Sequence, residues 1–260
     1  MKLRVAFSGS GFLAPIHAGV VCAMLDKGHE IVEVAGTSGG SIVAAMIAAG
    51  FSSDKIKTIA LQDLPDGIVS PQISGLWSLG LNDGHILQRW LRETFGGVTF
   101  ASAKVPITIM ATDIDHGIPY RLAKDVAAGT FLADACRASA SVPFVYEPFI
   151  LNGVKCVDGG VCCNLPLDKL VMDDAQQIGV EVMDGSSAGS TGNIFSFGRQ
   201  CIKAMLSSNE GNLVAWGEMY DAKIIQADAS PYGFLDASLT AAQKLDLFNR
   251  GYTAFTKTII

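Results

Sequence analysis

Apolar positions along the chain repeat with two different periods, and the two periods alternate from the first residues to the last. Short apolar runs rich in β-branched residues are typical of buried strands, and longer runs with a helical repeat are typical of helices. The short runs predict strands over residues 2–7, 30–35, 105–114, 118–122, 154–157, 177–183 and 222–227. Strands that alternate with helices in this way indicate a mostly parallel sheet covered on both faces.

The helices predicted between these strands carry recognisable ends. Gly28 and Gly50 stand where two helices should close, and Ser52 or Ser53 can cap a third that runs to Ala60. The longer runs predict the remaining helices over residues 13–27, 39–50, 85–95, 130–139, 194–220 and 240–256, and one that begins near Pro166. The fold class that follows is α/β, a three-layer α/β/α sandwich with a mostly parallel central sheet.

Two stretches show neither the strand period nor the helix period. Residues 63–83 contain several Gly and Pro but also many apolar side chains, so they form either an apolar cap over a lipid-facing pocket or a surface-packed loop. Residues 184–193 are rich in Gly and Ser, which is typical of a flexible loop. Because a core-like pattern resumes on both sides of that loop, we expect one domain over residues 1–260.

The composition favours a large apolar core over a charged binding surface. Of the 260 residues, 49% are hydrophobic and 17% are charged, and the net charge is -6. Nucleic acid and anionic membranes therefore gain little electrostatic attraction, and we expect no nucleic-acid partner. No uninterrupted apolar run approaches the roughly 20 residues that span a bilayer, so we expect membrane contact, where it occurs, to be peripheral and mainly apolar.

Cysteine usage and the N-terminus favour a cytoplasmic protein. The apolar stretch after Lys2 and Arg4 is interrupted by a glycine loop and by Pro15, so we expect no cleavable signal. The cysteines lie mostly in apolar runs and form no C-x-x-C pair, which is typical of reduced, buried thiols. They are Cys22, Cys136, Cys156, Cys162, Cys163 and Cys201.

The pattern Gly36-Thr37-Ser38-Gly39-Gly40 lies where a predicted strand ends and a predicted helix begins. A sharp turn here would project Ser38 as a nucleophile, and the three glycines remove side chains that would collide with the strand or the helix. The helix start would direct free amides and the positive end of its dipole at charge developing near Ser38. Small residues also fill such turns for packing alone, so the motif by itself leaves a structural role open.

A serine hydroxyl needs a base, and the histidines of this chain are poorly placed to supply one. No histidine follows His116, so the order serine, acid, histidine of α/β-hydrolases cannot be built with an acid beyond that residue. His17 is expected to pack in the core. His29 and His116 adjoin turn glycines and should be solvated, and His85 starts a helix. Spacing alone excludes none of the four.

Asp158 is the better candidate for the base. It ends a predicted strand and precedes Gly159-Gly160, which leave the backbone room to approach another loop. Partial burial can raise the pKa of a carboxyl group into the range that a base needs. An Asp-Gly-Gly turn alone is more often structural, so this role depends on its pairing with Ser38.

The loop Gly9-Ser10-Gly11 follows the first strand and could donate backbone N–H groups to an oxyanion. The same loop also fits a dinucleotide fingerprint, Gly9-x-Gly11-x-x-Ala14. Two acidic residues stand near the distance expected for a ribose contact, Glu30 and Glu33. We rank this oxidoreductase interpretation second, because it leaves the serine turn and the Asp-Gly-Gly turn unexplained.

Two further pairs of polar residues are expected to be structural. Asp113 and Asp115 lack the additional ligands of a metal site, and Cys162-Cys163 has apolar neighbours. We therefore expect neither a metal nor a cofactor.

Together these motifs resemble those of the patatin-like phospholipase family. The glycine-rich oxyanion loop of that family and the helix after it correspond to residues 8–20, its G-x-S-x-G to 36–40 and its D-G-G to 158–160. The similarity extends from about residue 4 to at least residue 170. Family-like flanks are found at residues 111–113, 137–143 and 161–166.

The resemblance implies a lipid acyl hydrolase that needs no calcium, in which Ser38 forms an acyl-enzyme and Asp158 acts directly as the base. The loop Gly9–Gly11 would supply the oxyanion hole. The family usually has glycine where this chain has Ser10 and a basic residue where it has Leu13. The missing charge keeps open a broad-specificity carboxylesterase and, as a third class, a lipid-binding protein without catalysis.

Overall fold

The computed structural model describes residues 1–62, 64–69, 79–183 and 221–258, together with positions 185, 197, 198, 200, 201 and 204. These residues form an eight-stranded sheet. Its strands are β1 (Lys2–Phe7), β2 (Glu30–Thr37), β4 (Ile107–Asp113), β5 (Ile118–Ala123), β7 (Phe149–Leu151), β8 (Val154–Asp158), β9 (Gln176–Met183) and β10 (Lys223–Asp228). A second sheet pairs β3 (Gly80–Asn82) with β6 (Phe144–Tyr146).

The large sheet has a parallel centre and an antiparallel edge. Its strand order is β10-β9-β1-β2-β4-β8-β7, and β5 also pairs with β4. The pairs from β10 to β4 are parallel, whereas β8, β7 and β5 pair antiparallel. The mixed α/β class with a mostly parallel sheet, predicted from the alternating periods, is therefore confirmed.

Strand register brings the two predicted catalytic turns together. Thr37 at the end of β2 pairs with Met110 on β4, and the next residue, Ala111, pairs with Asp158 at the end of β8. One strand thus separates the serine turn from the Asp-Gly-Gly turn, although 120 residues of sequence separate Ser38 from Asp158. Backbone pairing alone places both residues at one edge of the sheet.

Helices cover one face of the sheet. They are α1 (Ala14–Asp26), α2 (Gly39–Ala48), α3 (Ser53–Leu61), α4 (His85–Phe95), α5 (Lys124–Ala127), α6 (Leu132–Ser139) and α7 (Ala241–Lys257). Alternate residues of β1 point to opposite faces, so Val5 and Phe7 pack in the helix-covered core while Ala6 packs on the other side. The segment with Leu165 and Leu167 covers that second face.

Helices α1 and α7 approach each other closely through two glycines. A Cβ on Gly19 would collide with the carbonyl oxygen of Phe248, and a Cβ on Gly251 would collide with that of Ile16. Thr240 begins α7 with a reciprocal capping box, in which its hydroxyl accepts from the Gln243 amide. The C-terminal helix therefore packs backbone to backbone against the helix that follows the glycine loop.

The helix predicted to begin near Pro166 is wrong. Only Leu167–Lys169 form a single 3₁₀ turn, and the chain is extended again at Leu170. Leu165, Leu167 and Leu170 are all buried against the sheet, and their spacing of two and three residues does not fit one helical face. Burial of the three leucines has overridden the helix-start signal of the proline.

Smaller differences concern short strands and residues outside the described ranges. Strands β3, β6 and β7 lie in stretches where no strand was predicted, because three residues are too few to show a period. Part of the predicted cap at 63–83, and most of the loop at 184–193 and of the helix at 194–220, lie outside the described residues. Among the described residues, no helix combines the length and the apolar character needed to span a bilayer.

Candidate active site

Ser38 occupies a strained turn between β2 and α2. Its φ is 51° and its ψ is −127°, a left-handed backbone region that disfavours residues with a side chain. The flanking glycines make the turn possible. A Cβ on Gly36 would lie 2.7 Å from the carbonyl oxygen of Gly40, and a Cβ on Gly40 would collide with that of Ser8. The turn therefore projects the serine hydroxyl at the carboxyl edge of the sheet, as the motif predicted.

The Ser38 hydroxyl donates a hydrogen bond to Asp158, with 2.6 Å between Oγ and Oδ2. Both residues are nearly buried, 5% and 4% exposed respectively. Burial raises the pKa of Asp158 from 3.8 to about 6, although the hydrogen bonds from Ser38 and the Gly160 amide act in the opposite direction. The structure thus pairs a serine with a carboxylate that is more basic than an exposed aspartate.

The Asp158 carboxylate is held in place from several sides. The Gly160 amide donates to Oδ1 at 2.8 Å, which leaves Oδ2 for the serine. The Asp158 amide donates to the Ser141 carbonyl at 2.9 Å, and the Thr112 hydroxyl donates to the Asp158 carbonyl at 3.0 Å. A Cβ on Gly159 would collide with the Met110 carbonyl, so only glycine permits this approach to β4.

Ser139 holds the backbone of the candidate nucleophile. The Ser38 amide donates to Ser139 Oγ at 2.8 Å, and that hydroxyl donates to the Met110 carbonyl at 2.5 Å. All of these groups are buried. The Ser38 amide is therefore occupied and does not face the pocket as a free donor. Ser139 lies in the family-like flank before Asp158, but nothing in the sequence distinguished it from Ser141.

The glycine loop leaves two backbone amides free. The Gly9 amide donates to the backbone and side-chain oxygens of Asn164, at 3.1 and 3.2 Å, and so is not available to a substrate. Within the described part of the chain, the amides of Ser10 and Gly11 donate to no acceptor. Gly11 has a φ of 52°, a left-handed conformation that glycine adopts without strain.

Two residues that the sequence analysis missed anchor this loop. Asn164 is 1% exposed and holds Gly9, and its only signal in the sequence is an amide within the apolar run 161–167. The Phe234 carbonyl accepts from the Phe12 amide at 2.9 Å on the other side of the loop. The C-terminal part of the chain thus supports the loop as directly as the Asp-Gly-Gly region does.

An apolar pocket opens beside Ser38. Helices α2, α3 and α4 and the segment around β6 contribute its walls, and Leu235 and Lys244 contribute from the C-terminal part of the chain. The side-chain walls include Ile42, Met46, Ile59, Leu87, Trp90 and Val142. Within the predicted cap, Leu64 and Ile68 are described and line the same pocket. Such a cavity suits an acyl chain rather than a charged or sugar-bearing ligand.

Arg137 is a buried cation whose partners are oxygens of neighbouring loops. It is 1% exposed and its guanidinium donates to the carbonyls of Asp83, Gly84 and Glu147 and to Ser141 Oγ. Burial lowers the pKa of Arg137 to about 10, which leaves it charged at neutral pH. The Ser141 carbonyl accepts from the Asp158 amide, so hydrogen bonds through Ser141 connect Arg137 to the backbone of Asp158.

None of the four histidines, all of which are described, hydrogen-bonds with Ser38 or Asp158. His17 is fully buried, as expected, with Nε2 2.9 Å from the Ser8 carbonyl, and burial lowers its pKa to about 4. His85 pairs with Asp83, and His116 pairs with Asp113 at the end of β4. His29 is half-buried against the ring of Phe255, so the prediction that it is solvated is only partly met.

The remaining polar candidates have structural partners. Asp113 accepts hydrogen bonds from His116, and Asp115 accepts one from Lys155. Glu33, weighed as a ribose contact, instead accepts from Arg4 at 2.6 Å. Among the described residues, no group of three His, Cys, Asp or Glu side chains could hold a metal ion. All six cysteines are free thiols.

Leu13 does not face the candidate site. It is fully buried in a second core cluster with Ile16, Phe234 and Leu247. The position where the family usually has a basic residue is therefore part of the packing between the glycine loop, α1 and the C-terminal part of the chain.

Known proteins are similar to this chain in sequence and in fold. A model of the family described as patatin-like phospholipase matches residues 5–171. The uncharacterized protein YqhO of Bacillus subtilis is 29% identical over 196 residues, which are 64% of this chain and 66% of that protein. The cUMP-AMP-activated phospholipase of Escherichia coli is 30% identical over 173 residues, which are 60% of this chain and 51% of that protein.

Among solved structures, VipD from Legionella pneumophila has a TM-score of 0.61 and 13% identity, over 98% of this chain and 66% of that chain. At this identity the likeness establishes the fold alone. The chain spans between about half and two thirds of the proteins it resembles. The family match covers more than half of the chain and includes all three motifs. The chain therefore belongs to the patatin-like phospholipase family.

Proposed function

We propose that this protein is a lipid acyl hydrolase that cleaves carboxylic ester bonds through a Ser38 acyl-enzyme, with Asp158 as the general base. The observation that carries the proposal is the 2.6 Å hydrogen bond from Ser38 Oγ to a buried carboxylate. A serine within hydrogen-bond reach of a base is the geometry that nucleophilic catalysis requires. Membership in the patatin-like phospholipase family supports a lipid hydrolase.

The first half of the reaction forms the acyl-enzyme. Asp158 takes the proton of Ser38 as Oγ attacks the ester carbonyl carbon, and the carbonyl electron pair moves onto oxygen. This negative charge is stabilised by the N-terminal end of α2 and by the amides of Ser10 and Gly11, which have no acceptor among the described residues. Asp158 then returns the proton to the leaving alcohol as the C–O bond breaks. The apolar pocket beside Ser38 holds the acyl chain.

The second half releases the fatty acid. A water molecule attacks the acyl carbonyl carbon, Asp158 accepts its proton, and the proton passes to Ser38 Oγ when the acyl bond breaks. Each step needs Asp158 to alternate between its charged and neutral forms. A carboxyl group with a pKa of about 6 exchanges its proton readily near neutral pH.

The proposal is tested by labelling with a fluorophosphonate, followed by peptide mapping of the adduct. We expect one adduct on Ser38 and none in Ser38→Ala. Asp158→Asn should lose nearly as much ester hydrolysis as Ser38→Ala, because the two residues act as one unit. The matched control is Asp125→Asn, an exposed carboxylate paired with Arg121, which should keep full activity. Full hydrolysis by Asp158→Asn would contradict a serine–aspartate dyad, and an unlabelled Ser38 would favour a lipid-binding protein.

A second candidate is a carboxylesterase of simple acyl esters. The buried Leu13 favours it, because no cation stands at the position that is usually basic in the family. Comparison of kcat/KM for p-nitrophenyl butyrate with kcat/KM for phosphatidylcholine and phosphatidylglycerol vesicles separates the two. Hydrolysis of both vesicles at rates near that of the soluble ester would support the phospholipase, and hydrolysis of the soluble ester alone would support the esterase.

A further inference from the structure

The Ser10 side chain is a buried hydroxyl that has no hydrogen-bond partner among the described residues. Ser10 is 3% exposed, and its Oγ makes no hydrogen bond to the described protein. An unpaired polar group in a protein interior costs free energy, so the fold gains no stability from it. Packing therefore does not explain why the chain has serine here.

The Ser10 hydroxyl lies next to Gly39, the residue that follows the candidate nucleophile. The point that a Cβ of Gly39 would occupy is 2.6 Å from Ser10 Oγ and 3.0 Å from the Gly11 amide nitrogen. Gly39 follows Ser38 and is the first residue of α2, a helix of 10 residues. The hydroxyl and a free amide thus border the same space at the positive end of this helix. Gly11 and Gly39 also line the apolar pocket.

We propose that the Ser10 hydroxyl is a catalytic hydrogen-bond donor, which adds a side-chain donor to the backbone amides that face the oxyanion. This inference rests on the proposed function. When Ser38 Oγ attacks the ester, the carbonyl oxygen gains the electron pair of the broken π bond, and the Ser10 O–H donates to that oxygen. The donor has no competing partner in the described part of the protein, so no hydrogen bond seen there has to break before it acts.

Ser10 also compensates for the residue that this chain lacks. A basic side chain near the loop would add positive potential at the oxyanion, and Leu13 is instead buried in the core. A hydroxyl dipole at Ser10 supplies part of that stabilisation at short range. It does so without a charge that would attract phosphate, which fits substrates whose reacting end is an uncharged ester.

The test compares Ser10→Ala and Ser10→Gly with the wild-type enzyme, using p-nitrophenyl butyrate. Both variants keep the backbone amide; Ser10→Ala loses only the hydroxyl oxygen, and Ser10→Gly loses the whole side chain. We expect kcat to fall about 100-fold, the lower end of the effect of removing one oxyanion donor, with KM unchanged. The rate of phosphonylation of Ser38 by a fluorophosphonate should fall in parallel, because the phosphoryl oxygen occupies the place of the oxyanion. The thermal midpoint should be unchanged or higher, since an unpaired polar group is removed.

Ser8→Ala is the matched control for stability. The Ser8 hydroxyl accepts from the Val182 amide at 3.1 Å, so its loss should lower the thermal midpoint while Ser10→Ala does not. Unchanged kcat in both Ser10 variants would overturn the inference, as would a loss of kcat that comes with a Ser8-like fall in thermal midpoint. A wild-type protein without esterase activity and without a Ser38 adduct would instead contradict the proposed function.

Discussion

At the scale of a single residue, the ionisation of Asp158 makes the proposed ester hydrolysis depend on pH. Burial raises the pKa of this carboxyl group to about 6, and the proposed base works only when it is ionised. We expect kcat/KM to rise with pH, to be about tenfold below its plateau at pH 5, and to level off above pH 7. Ester hydrolysis measured between pH 4.5 and 8 gives this profile. A plateau that extends unchanged to pH 4.5 would contradict Asp158 as the base.

The raised pKa of Asp158 also predicts that the difference in stability between the wild type and Asp158→Asn depends on pH. The pKa of Asp158 is higher in the folded state, about 6, than the ordinary 3.8 of an unfolded chain. Its contribution to stability is therefore fully present below pH 4 and is lost as the pH rises through 6, at roughly 1.4 kcal/mol per pKa unit. Asp158→Asn does not ionise. We expect its thermal midpoint to match the wild type at pH 4 and to exceed it at pH 8.

Asp125→Asn is the control, because the pKa of Asp125 is shifted in the opposite direction from that of Asp158. The pKa of Asp125 is lowered by its hydrogen bonds from Arg121, so its stabilising contribution is present above the unfolded pKa and is lost as the pH falls. This variant should not become more stable than the wild type at pH 8. An Asp158→Asn protein that is no more stable than the wild type at pH 8 would show that the carboxyl is not destabilised by burial.

Ser139 is a buried serine whose hydroxyl holds the serine turn through two hydrogen bonds. Ser139→Ala leaves the Ser38 amide and the Met110 carbonyl without a hydroxyl partner, so we expect a loss of about 1–3 kcal/mol in the free energy of unfolding and a lower kcat. Urea denaturation and esterase kinetics measure both. The exposed Ser238→Ala is the control and should change neither. Unchanged stability in Ser139→Ala would show that the strained serine turn does not depend on this hydrogen bond.

At the scale of elements, the contact between α1 and α7 depends on two glycines. Gly19→Ala would drive a methyl group into the Phe248 carbonyl, and Gly251→Ala would do the same at Ile16. We expect each to lower the free energy of unfolding by about 1–3 kcal/mol, as overpacking does. Gly129→Ala, where a Cβ meets no atom within 4 Å, is the control and should unfold like the wild type. Equal stability of all three variants would mean that the helices can move apart at little cost.

An element could be predicted where neighbouring residues in the sequence determine its structure, and it was missed where residues distant in sequence do. Glycine motifs revealed Ser38 and Asp158 because close backbone approach admits few other residues. Asn164 and Ser139 were missed because their partners are backbone groups distant in sequence, which no local pattern names. The prediction of a helix near Pro166 was wrong for the same reason: its leucines pack on strands that are distant in sequence. The α/β order was predictable because each element carries its own period.

At the scale of the whole molecule, the match to the family model ends at residue 171, but the packing does not. Phe234 holds the glycine loop, Leu235 and Lys244 line the pocket, and α7 packs on α1. We expect a chain shortened to residues 1–239 to expose apolar surface of α1, to bind the dye ANS and to lose ester hydrolysis. Removal of residues 259–260 alone is the control. A folded, active 1–239 chain would show that the catalytic region does not need this helix.

The close packing of α1 on α7 also bears on how the protein is made. A ribosome adds roughly 5 to 20 residues per second, so Gly251 emerges roughly 10 to 40 seconds after Ser38. Until then Ile16 and Gly19 have no helix to pack against, and Phe234 is not yet present for most of that interval to hold the loop beside the serine. We therefore expect the nascent chain to lack the proposed ester hydrolysis until residues 234–251 have emerged from the ribosome.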